Sequence, residues 1–599
     1  MKNNQPVYQI DGRYLYYTFL AGAHKVLQNQ SEINSINVFP VNDKDTGTNL
    51  ASTVRSIMDS IRPDRSFTAT AGVIAEAALV GARGNSGVIF AQFFHGLSLE
   101  TNNRHVLSFS EFAEIIKKSV RHMYQAVSNP VEGTMLTVMS DWADFLYSRK
   151  EVVVDFDQAF LESLETLKKS LSETKEKLLI LKKMNLVDAG AKGFVVFIEG
   201  IIELIRSKNL RHLMKEVPQI VSLVHSEEVT DEVIEFRYCT EALIRNLAIN
   251  QVSLQNLLQK YGNSIVVAGA EKTTRIHIHT NSPAKLFQEL KDFGTITSQK
   301  VDDMVRQNEV SKNRKWNIAV VTDSTCDLSQ DLIDFYQIHV LPLNLNFGEN
   351  HYLDKVTITP DEFYDLLDSN PEFPRTSLIN ERTFTNLYSQ LATHYDAIIA
   401  IHLSGHFSGT LLNSQKAAAR IAQEFNKEVH VFDSKSLSGA LGLLVLRTAQ
   451  AIESGESLNV ILGKMDDWIS KTRIYVSVKT MKYMVKGGRV SKPKGFITSL
   501  LNIKPIVSLD QHGKAILLGK TFSQPSNVNL VMKKIESQLD QTKIWNYVVL
   551  HAHNQTGANE YSSRMQKLTG VGPVATVDIS PAIGMNAGVG ATAVSIMLT

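Results

Sequence analysis

The stretch Ile36-Asn37-Val38-Phe39-Pro40-Val41-Asn42-Asp43-Lys44-Asp45-Thr46-Gly47-Thr48-Asn49 sets two carboxylates one residue apart. Carboxylates this close repel each other unless a cation lies between them. Hard divalent ions such as magnesium take carboxylate oxygens and are often shared with phosphates. The Thr46-Gly47-Thr48 run is small enough for amides and hydroxyls to approach an anion, and the apolar, Pro-containing lead-in fixes the loop. The alternative is an Asx-type turn that caps the next helix, because Asp-x-Asp pairs are common in turns. Spacing alone leaves both open.

Outward from this loop, residues 1 to about 210 read as helical. Apolar residues recur at helical spacing in Leu15–Val26, Leu50–Ile61, Gly72–Val80, Val88–Leu97, Phe112–Tyr124, Phe156–Leu171 and Phe194–Ile205. Strand-like alternation is scarce, so the region reads as all-α. Its loops carry the aspartate pair, Gly81–Gly87, Glu132–Thr137 and Val187–Gly193. Residues from about 215 to 312 change character. Ser264–Gly269 and Arg275–Thr280 read as two strands around a turn, followed by a helix over Ala284–Leu290: a small α/β unit. From Trp316 onward strand, loop and helix alternate. Ile318–Thr322, Ile338–Leu345, Ala397–Ile401 and Val429–Phe432 read as strands; Asp361–Leu367, Glu381–Leu391 and Ser414–Ile421 read as helices. Such alternation implies a parallel or mixed sheet with helices on both faces. A second half begins near Gly439 with a helix over Ala440–Ile452 and ends with strands at Tyr547–Leu550 and Val574–Ile579. The Gly/Ala-rich run Pro581–Leu598 reads as a buried strand-turn-helix. The fold class is therefore multidomain: an all-α part, a small α/β part and a two-subdomain α/β part.

Composition narrows the function. The chain has 599 residues, 43% of them apolar, enough for several cores. Lys and Arg total 62 against 61 Asp and Glu, a net charge of +1, which argues against a nucleic-acid binder. Two cysteines, Cys239 and Cys326, exclude a disulfide framework and suit a reducing cytosol. The N-terminus lacks a signal-peptide core, and no clean run of about 20 apolar residues suggests a transmembrane helix. A cytoplasmic protein is expected, with transient contact at a membrane surface as a further expectation.

Residues 1–210 resemble the DhaL-type ATP-binding domain, a helical barrel, of dihydroxyacetone kinases and, more closely, the kinase subunit of bacterial fatty acid kinase. The family loop runs approximately Asn-Val-Phe-Pro-Val-Pro-Asp-Gly-Asp-Thr-Gly-Thr-Asn. Here Asn42 stands for the second Pro and Lys44 for the Gly between the aspartates. Ala82–Gly87 and Val187–Gly190 also match. Residues 215–312 resemble the middle domain of that kinase through Tyr238-Cys239-Thr240-Glu241 and His277–Asn281. Residues 315–599 resemble DegV-type fatty-acid-binding proteins, with subdomains at about 315–437 and 438–599. The matching motifs are Thr322-Asp323-Ser324, Arg375-Thr376-Ser377, Ser408-Gly409-Thr410, Asp433-Ser434 and Gly487-Gly488-Arg489.

The resemblance implies that Asp43 and Asp45 are catalytic and hold magnesium bridging the phosphates of ATP. It implies nucleotide contacts from Thr46, Thr48, Asn49, Gly84, Asn85, Ser86, Gly87, Thr134, Met135 and Asp188, with Thr134 and Met135 on the adenine side. The Gly84–Gly87 turn would open a helix whose positive end faces phosphate; otherwise it is a plain helix connection. Lys44 would either neutralise phosphate or compete with the metal. His277 and His279, alternate residues of a strand, share one face. With Cys239 they form a three-ligand zinc set, to which Thr240 or Glu241 could add a weaker contact. Two solvent-facing histidines and a buried thiol are the plain alternative. In the DegV-like part the resemblance implies a long-chain fatty acid in a tunnel, its carboxylate held by Thr376, Ser377, Ser408, Gly409 and Thr410 with Arg489 nearby. Ordinary loop capping by Ser and Thr is the alternative. The family's C-terminal motif runs roughly Gly-Thr-His-x-Gly-Pro-Gly, and Asn586 stands where its carboxylate-contacting histidine lies. Asparagine donates hydrogen bonds but carries no charge.

Together these features imply a single-chain fatty acid kinase that makes acyl phosphate. A carboxylate is already ionised near neutral pH, so no general base and no Ser-His-Asp constellation is expected. Other readings are a kinase component with a lipid-free DegV-like scaffold acting on a separate lipid carrier, a dihydroxyacetone-type kinase, or a lipid-binding regulator. Expected partners are the fatty acid, a DegV-type carrier or an acyltransferase that consumes acyl phosphate, and a second copy in a homodimer.

Overall fold

The computed structural model describes residues 6–39, 44–207, 234–488, 503–539 and 542–599. They form two compact units, Met1–Val305 and Arg306–Thr599. The division falls before residue 312, the end expected for the middle region. Val310 belongs to a buried cluster of the second unit with Leu391, Tyr395 and Ile398.

The first unit begins with helices α1 (Gly12–Gln28), α2 (Gln30–Ser35), α3 (Thr46–Ser60), α4 (Phe67–Gly81), α5 (Gly84–Glu100), α6 (Phe109–Ala126), α7 (Met135–Arg149), α8 (Phe156–Lys177), α9 (Leu179–Met184) and α10 (Ala189–Ser207). Strand β1 (Gln9–Asp11) pairs antiparallel with β2 (Val106–Ser108). Local chemistry marks the ends. Asp11, Ser66 and Asp155 each accept a first-turn amide, and Ser108 with Glu111 forms a capping box. Helices α3 to α8 pack in succession, and α10 lies against α8 and α1, closing the series on itself. Aromatic residues fill the centre: Phe90 packs edge-on to Phe94 at 4.9 Å and to Phe197 at 5.3 Å. Helix α7 begins inside the Glu132–Thr137 stretch that reads as a loop.

The rest of this unit is a four-stranded antiparallel sheet. Strands β3 (Tyr238–Arg245), β4 (Gly262–Ala270), β5 (Thr273–Thr280) and β6 (Thr295–Asp303) stand in the order β4-β5-β3-β6. Helices α11 (Gln251–Leu258) and α12 (Pro283–Leu290) cover one face, burying Ala242, Ile244, Ile276 and Ile278 against Leu254, Leu258, Leu286 and Phe287. The other face meets the helices: Val266 and Ala268 join their core, and Gly269 donates its amide to Gln92 Oε1 at 2.7 Å.

In the second unit, Glu428–Asp433, Ala397–His402, Ile318–Asp323 and His339–Leu341 form a parallel sheet in that order. A six-stranded mixed sheet contains Thr472–Ser477, Thr592–Leu598 and Ile544–His551 side by side. Helix Ser438–Glu453, buried along most of its length, packs on both sheets, which explains its nearly unbroken apolar sequence. Two expectations need correction. The run Ile338–Leu345 breaks at Pro342, which has no amide for a ladder, into His339–Leu341 and Asn344–Phe347, the latter in a separate antiparallel sheet. The C-terminal run is helix-turn-strand, not strand-turn-helix. Pro581 at the first helical turn starts helix Pro581–Ala587, Gly588 and Gly590 turn the chain at φ 80° and 85°, and Thr592–Leu598 becomes a buried central strand. Among the described residues no helix is long and apolar enough to cross a membrane.

Candidate functional site

Four loops of the helical part converge. A Cβ at Gly84 would lie 2.3 Å from Asn49 Nδ2, so the head of α5 sits directly on α3. A Cβ at Gly190 would lie 2.8 Å from Ser86 Oγ, 3.3 Å from Asp188 Oδ1 and 3.4 Å from Met135 Cβ, joining three of the loops at one point. Asp188 is buried and accepts the amide of Ala191 at 2.7 Å. Burial raises its carboxyl to about 6, opposed by the amides of Ala191, Met135 and Gly190. Gly87 packs against Thr53 and the Asn49 carbonyl. Asn85 Oδ1 is buried with no hydrogen-bond partner among the described residues, as expected of a group that meets a ligand.

Asp43 lies outside the described residues. Asp45 stands at the N-cap of α3, yet its side chain makes no capping hydrogen bond, so the plain helix-capping alternative is not what this carboxylate does. Lys44 holds φ 54°, in the left-handed region that costs an L-residue about 1–2 kcal/mol. That explains the glycine in the resembled motif. Thr46 is buried in the first turn of α3. Thr48 turns toward α2, its hydroxyl accepting from Asn34 Nδ2 at 3.0 Å and Gln30 Nε2 at 3.1 Å. Thr134 donates to the Val131 carbonyl at 2.8 Å, and Met135 is buried beside Gly190.

The face of the middle sheet that meets the helical part supplies a second group of side chains. Register puts Cys239 opposite His279 and Asp302, and Glu241 opposite His277 and Lys300. One ligand atom each of Cys239, His277 and His279 lies within 4.8 Å of the others. Both histidines are buried, against the solvent-facing alternative, and His277 Nε2 has no hydrogen-bond partner among the described residues. Burial, then His277, lowers His279 to about 3, keeping it in the neutral form that binds metal. Burial and Glu241 push the Cys239 thiol well up, so metal binding there must displace a proton. The donor set fits zinc with a fourth position left over. The expected fourth contact is corrected: Thr240 points to the opposite face by strand alternation, and both Glu241 oxygens are engaged elsewhere.

Sequence reasoning missed three residues on this face. Arg275 is buried and donates to Glu241 Oε2 at 2.5 Å; burial lowers it to about 10, so it stays charged. Its alternation with His277 and His279 in Arg275-Ile276-His277-Ile278-His279 was the available signal. Lys300, paired with Asp302, has a side chain one-third exposed (34%). Burial lowers its ammonium, while Asp302, Glu241, Cys239 and Asp45 together raise it. Asp45 adds a small share to the field at both Lys300 and Cys239.

In the second unit strand Arg375–Ser377 and the Ser408–Thr410 turn come together. Thr410 Oγ1 lies 2.8 Å from Ser408 Oγ and accepts the Ile379 amide at 3.4 Å. Ser377 and Gly409 are exposed, and Thr376 and Ser408 partly so. Arg489 lies outside the described residues. Asn586 packs on Gly487, where a Cβ would lie 1.8 Å from its Oδ1, and among the described residues no hydrogen bond joins it to Thr376, Ser377, Ser408 or Thr410. A Ser-His-Asp chain, not expected from the sequence, is present: Ser414 Oγ is 2.9 Å from His402 Nε2, and His402 Nδ1 is 3.2 Å from Asp323 Oδ2. All three are fully buried and Ser414 continues to Tyr388 Oη at 2.6 Å, so it is a packing network rather than a nucleophile.

Three stretches match known families. Residues 40–203 match the DAK2 domain, 235–311 the FakA-like middle domain of fatty acid kinases, and 317–599 the uncharacterised DegV family. An uncharacterised protein of Staphylococcus saprophyticus is 30% identical over 332 residues, 53% of this chain and 60% of its own. Protein YloV of Bacillus subtilis is 31% identical over 313 residues, 50% of this chain and 56% of its own. The chain thus spans less than two thirds of these relatives. A solved DegV family protein of Thermus thermophilus described by its fatty acid binding is 28% identical, with TM-score 0.43, covering 47% of this chain and 100% of that one. DegV, a fatty acid binding protein of Bacillus subtilis, is 26% identical, also with TM-score 0.43, covering 48% and 100%.

Proposed function

We infer that this chain, a fusion of DAK2-type, FakA-like and DegV-type segments, transfers the γ-phosphoryl group of ATP to a fatty-acid carboxylate. The carboxylate oxygen forms a bond to the γ-phosphorus, the bond from that phosphorus to the β–γ bridging oxygen breaks, and acyl phosphate and ADP leave. What supports this above all is the meeting, within one unit, of the Asn49–Gly84–Ser86–Asp188 loops with the charged face of the middle sheet, through Gly84 and Glu241.

The attacking carboxylate carries its own negative charge, so the work left to the protein is positioning and charge neutralisation. Magnesium on Asp45 and Asp43 would supply charge to the phosphates, and zinc on Cys239, His277 and His279 a Lewis-acidic centre beside them. The first-turn amides of Asn85 and Ser86 have no intrahelical acceptor and, with the Ser86 hydroxyl, donate to phosphate oxygens. Asp188 holds the Met135 and Ala191 backbones in place. Lys300 offers a cation on the sheet face that carries Glu241 and His277. The DegV-type part holds the acyl chain, whose burial contributes about 0.8 kcal/mol per methylene. Joining both parts on one chain sets their effective concentration on the order of millimolar. Purified protein given ATP, magnesium and oleate, with hydroxylamine as trap, should yield the fatty hydroxamate. No hydroxamate, even with a separate DegV-type carrier added, rejects the proposal.

The placement of Asn586 favours a second reading, in which the DegV-type part is a scaffold without lipid and the substrate arrives on another protein. Native mass spectrometry separates the two: retained fatty acid supports the first, and an empty chain that becomes active only with the carrier supports the second.

A further inference from the structure

Helix α5 has no cap of its own. Its N-cap residue is Arg83, whose side chain can only donate, and the Arg83 side chain makes no capping bond. The amide of Gly84 donates instead to Oε1 of Glu241, 157 positions away on β3, at 2.5 Å. Glu241 is 1% exposed. Its Oε2 accepts from Arg275 at 2.5 Å and lies 3.8 Å from Arg83 Nη1, while its Oε1 lies 3.6 Å from His277 Nδ1. One buried carboxylate therefore touches the head of the phosphate-facing helix, two arginines and one member of the Cys239–His277–His279 set.

We propose that Glu241 is a positioning residue that locks the Cys–His–His set of the middle sheet to the head of α5, making one phosphoryl-transfer centre out of two domains. It rests on the proposed kinase reading but concerns the residue's own role. By taking Gly84, the carboxylate fixes the start of α5 and leaves the next two amides, of Asn85 and Ser86, directed at a ligand. The same carboxylate lies against the ring of His277, whose Nδ1 also faces Cys239 Sγ at 3.9 Å, and so steadies that ring within the set, as carboxylates beside ligating histidines do. Arg275 and Arg83 balance its charge, so neither end of the link is left unpaired.

The test uses the full chain without nucleotide or lipid. Two readouts are followed: zinc affinity, by competition with a chelator, and amide hydrogen exchange across residues 83–87. Glu241→Gln keeps the shape and loses the charge; Glu241→Asp keeps the charge and loses the reach. Both variants should bind zinc at least tenfold more weakly and exchange the 83–87 amides at least tenfold faster, while unfolding within a few degrees of wild type. Wild-type values of either readout in a folded variant overturn the proposal. If Glu241→Gln fails to fold through the unbalanced Arg275, the neutral pair Glu241→Gln/Arg275→Gln is measured in its place, with the same expectations and the same overturning result. A wild-type chain that makes no acyl phosphate would defeat the kinase reading while these two readouts still decide the role of Glu241.

Discussion

Replacing Gly190 by Ala should separate function from stability. Gly190 lies in the first turn of α10 and its φ is not positive, so its backbone accepts an L-residue. The added methyl gains helix propensity of up to about 1 kcal/mol, less in a first turn than in an interior. It also arrives 2.8 Å from Ser86 Oγ and 3.3 Å from Asp188 Oδ1. The Asp188 carboxylate is held by three backbone amides, so the Ser86 hydroxyl is the group that moves. A hydrogen bond to a charged group is worth about 1.5–3 kcal/mol net. Its loss corresponds to roughly tenfold to hundredfold weaker ATP binding. Titration calorimetry with ATP and magnesium, beside thermal unfolding, measures both quantities. The expected variant has wild-type or slightly higher stability and a raised Kd. Gly463→Ala, in helix Leu458–Lys471 with nothing within 4 Å, is the control, which should gain stability and leave Kd unchanged. A wild-type Kd in folded Gly190→Ala refutes the convergence of Ser86 and Asp188 on nucleotide.

In the nucleotide-free protein Asp188 should subtract stability as pH rises from about 4 to 6, because burial holds it near 6 when folded against about 3.9 unfolded, so the native state binds the extra proton there. Over that window the contribution is on the order of 3 kcal/mol, and Asp188→Asn should flatten that part of the curve in urea unfolding across pH. Lys44→Gly removes the left-handed strain at φ 54° but adds unfolded-chain freedom, so the unfolding free energy from denaturant titration should change by no more than about 1 kcal/mol; a shifted magnesium dependence would show that the ammonium acts on metal or phosphate. Metal analysis should find zinc bound to the wild type in a 1:1 ratio and lost in His277→Ala and Cys239→Ser, and full retention in both variants would place the metal elsewhere. Asp45→Ala should abolish magnesium-dependent turnover while leaving zinc content unchanged.

The helices of the first unit were legible because their apolar positions repeat every three to four residues around a single core, as α1, α3, α5 and α6 show. Strands β3 and β6 were not. Their inward face carries Cys239, Glu241, Lys300 and Asp302 where a structural strand would carry apolar residues, so the alternation that announces a strand is missing where the site is built. The candidate residues could be named singly, from Asp45 through Ser86 to His279. Their meeting could not, since Glu241 reaches Gly84 across 157 positions. Gly190 illustrates the same limit: it reads as a small residue in a loop, and its purpose emerges only from the three side chains that crowd it.

The most direct test of a carboxylate attacking the γ-phosphorus is 31P NMR of the product formed from ATP, magnesium and oleate labelled with 18O in its carboxyl group. The account predicts an acyl-phosphate resonance displaced by one bridging 18O, alongside ADP. An ADP signal accompanied by unlabelled inorganic phosphate alone, with no acyl-phosphate resonance at any time point, would contradict it.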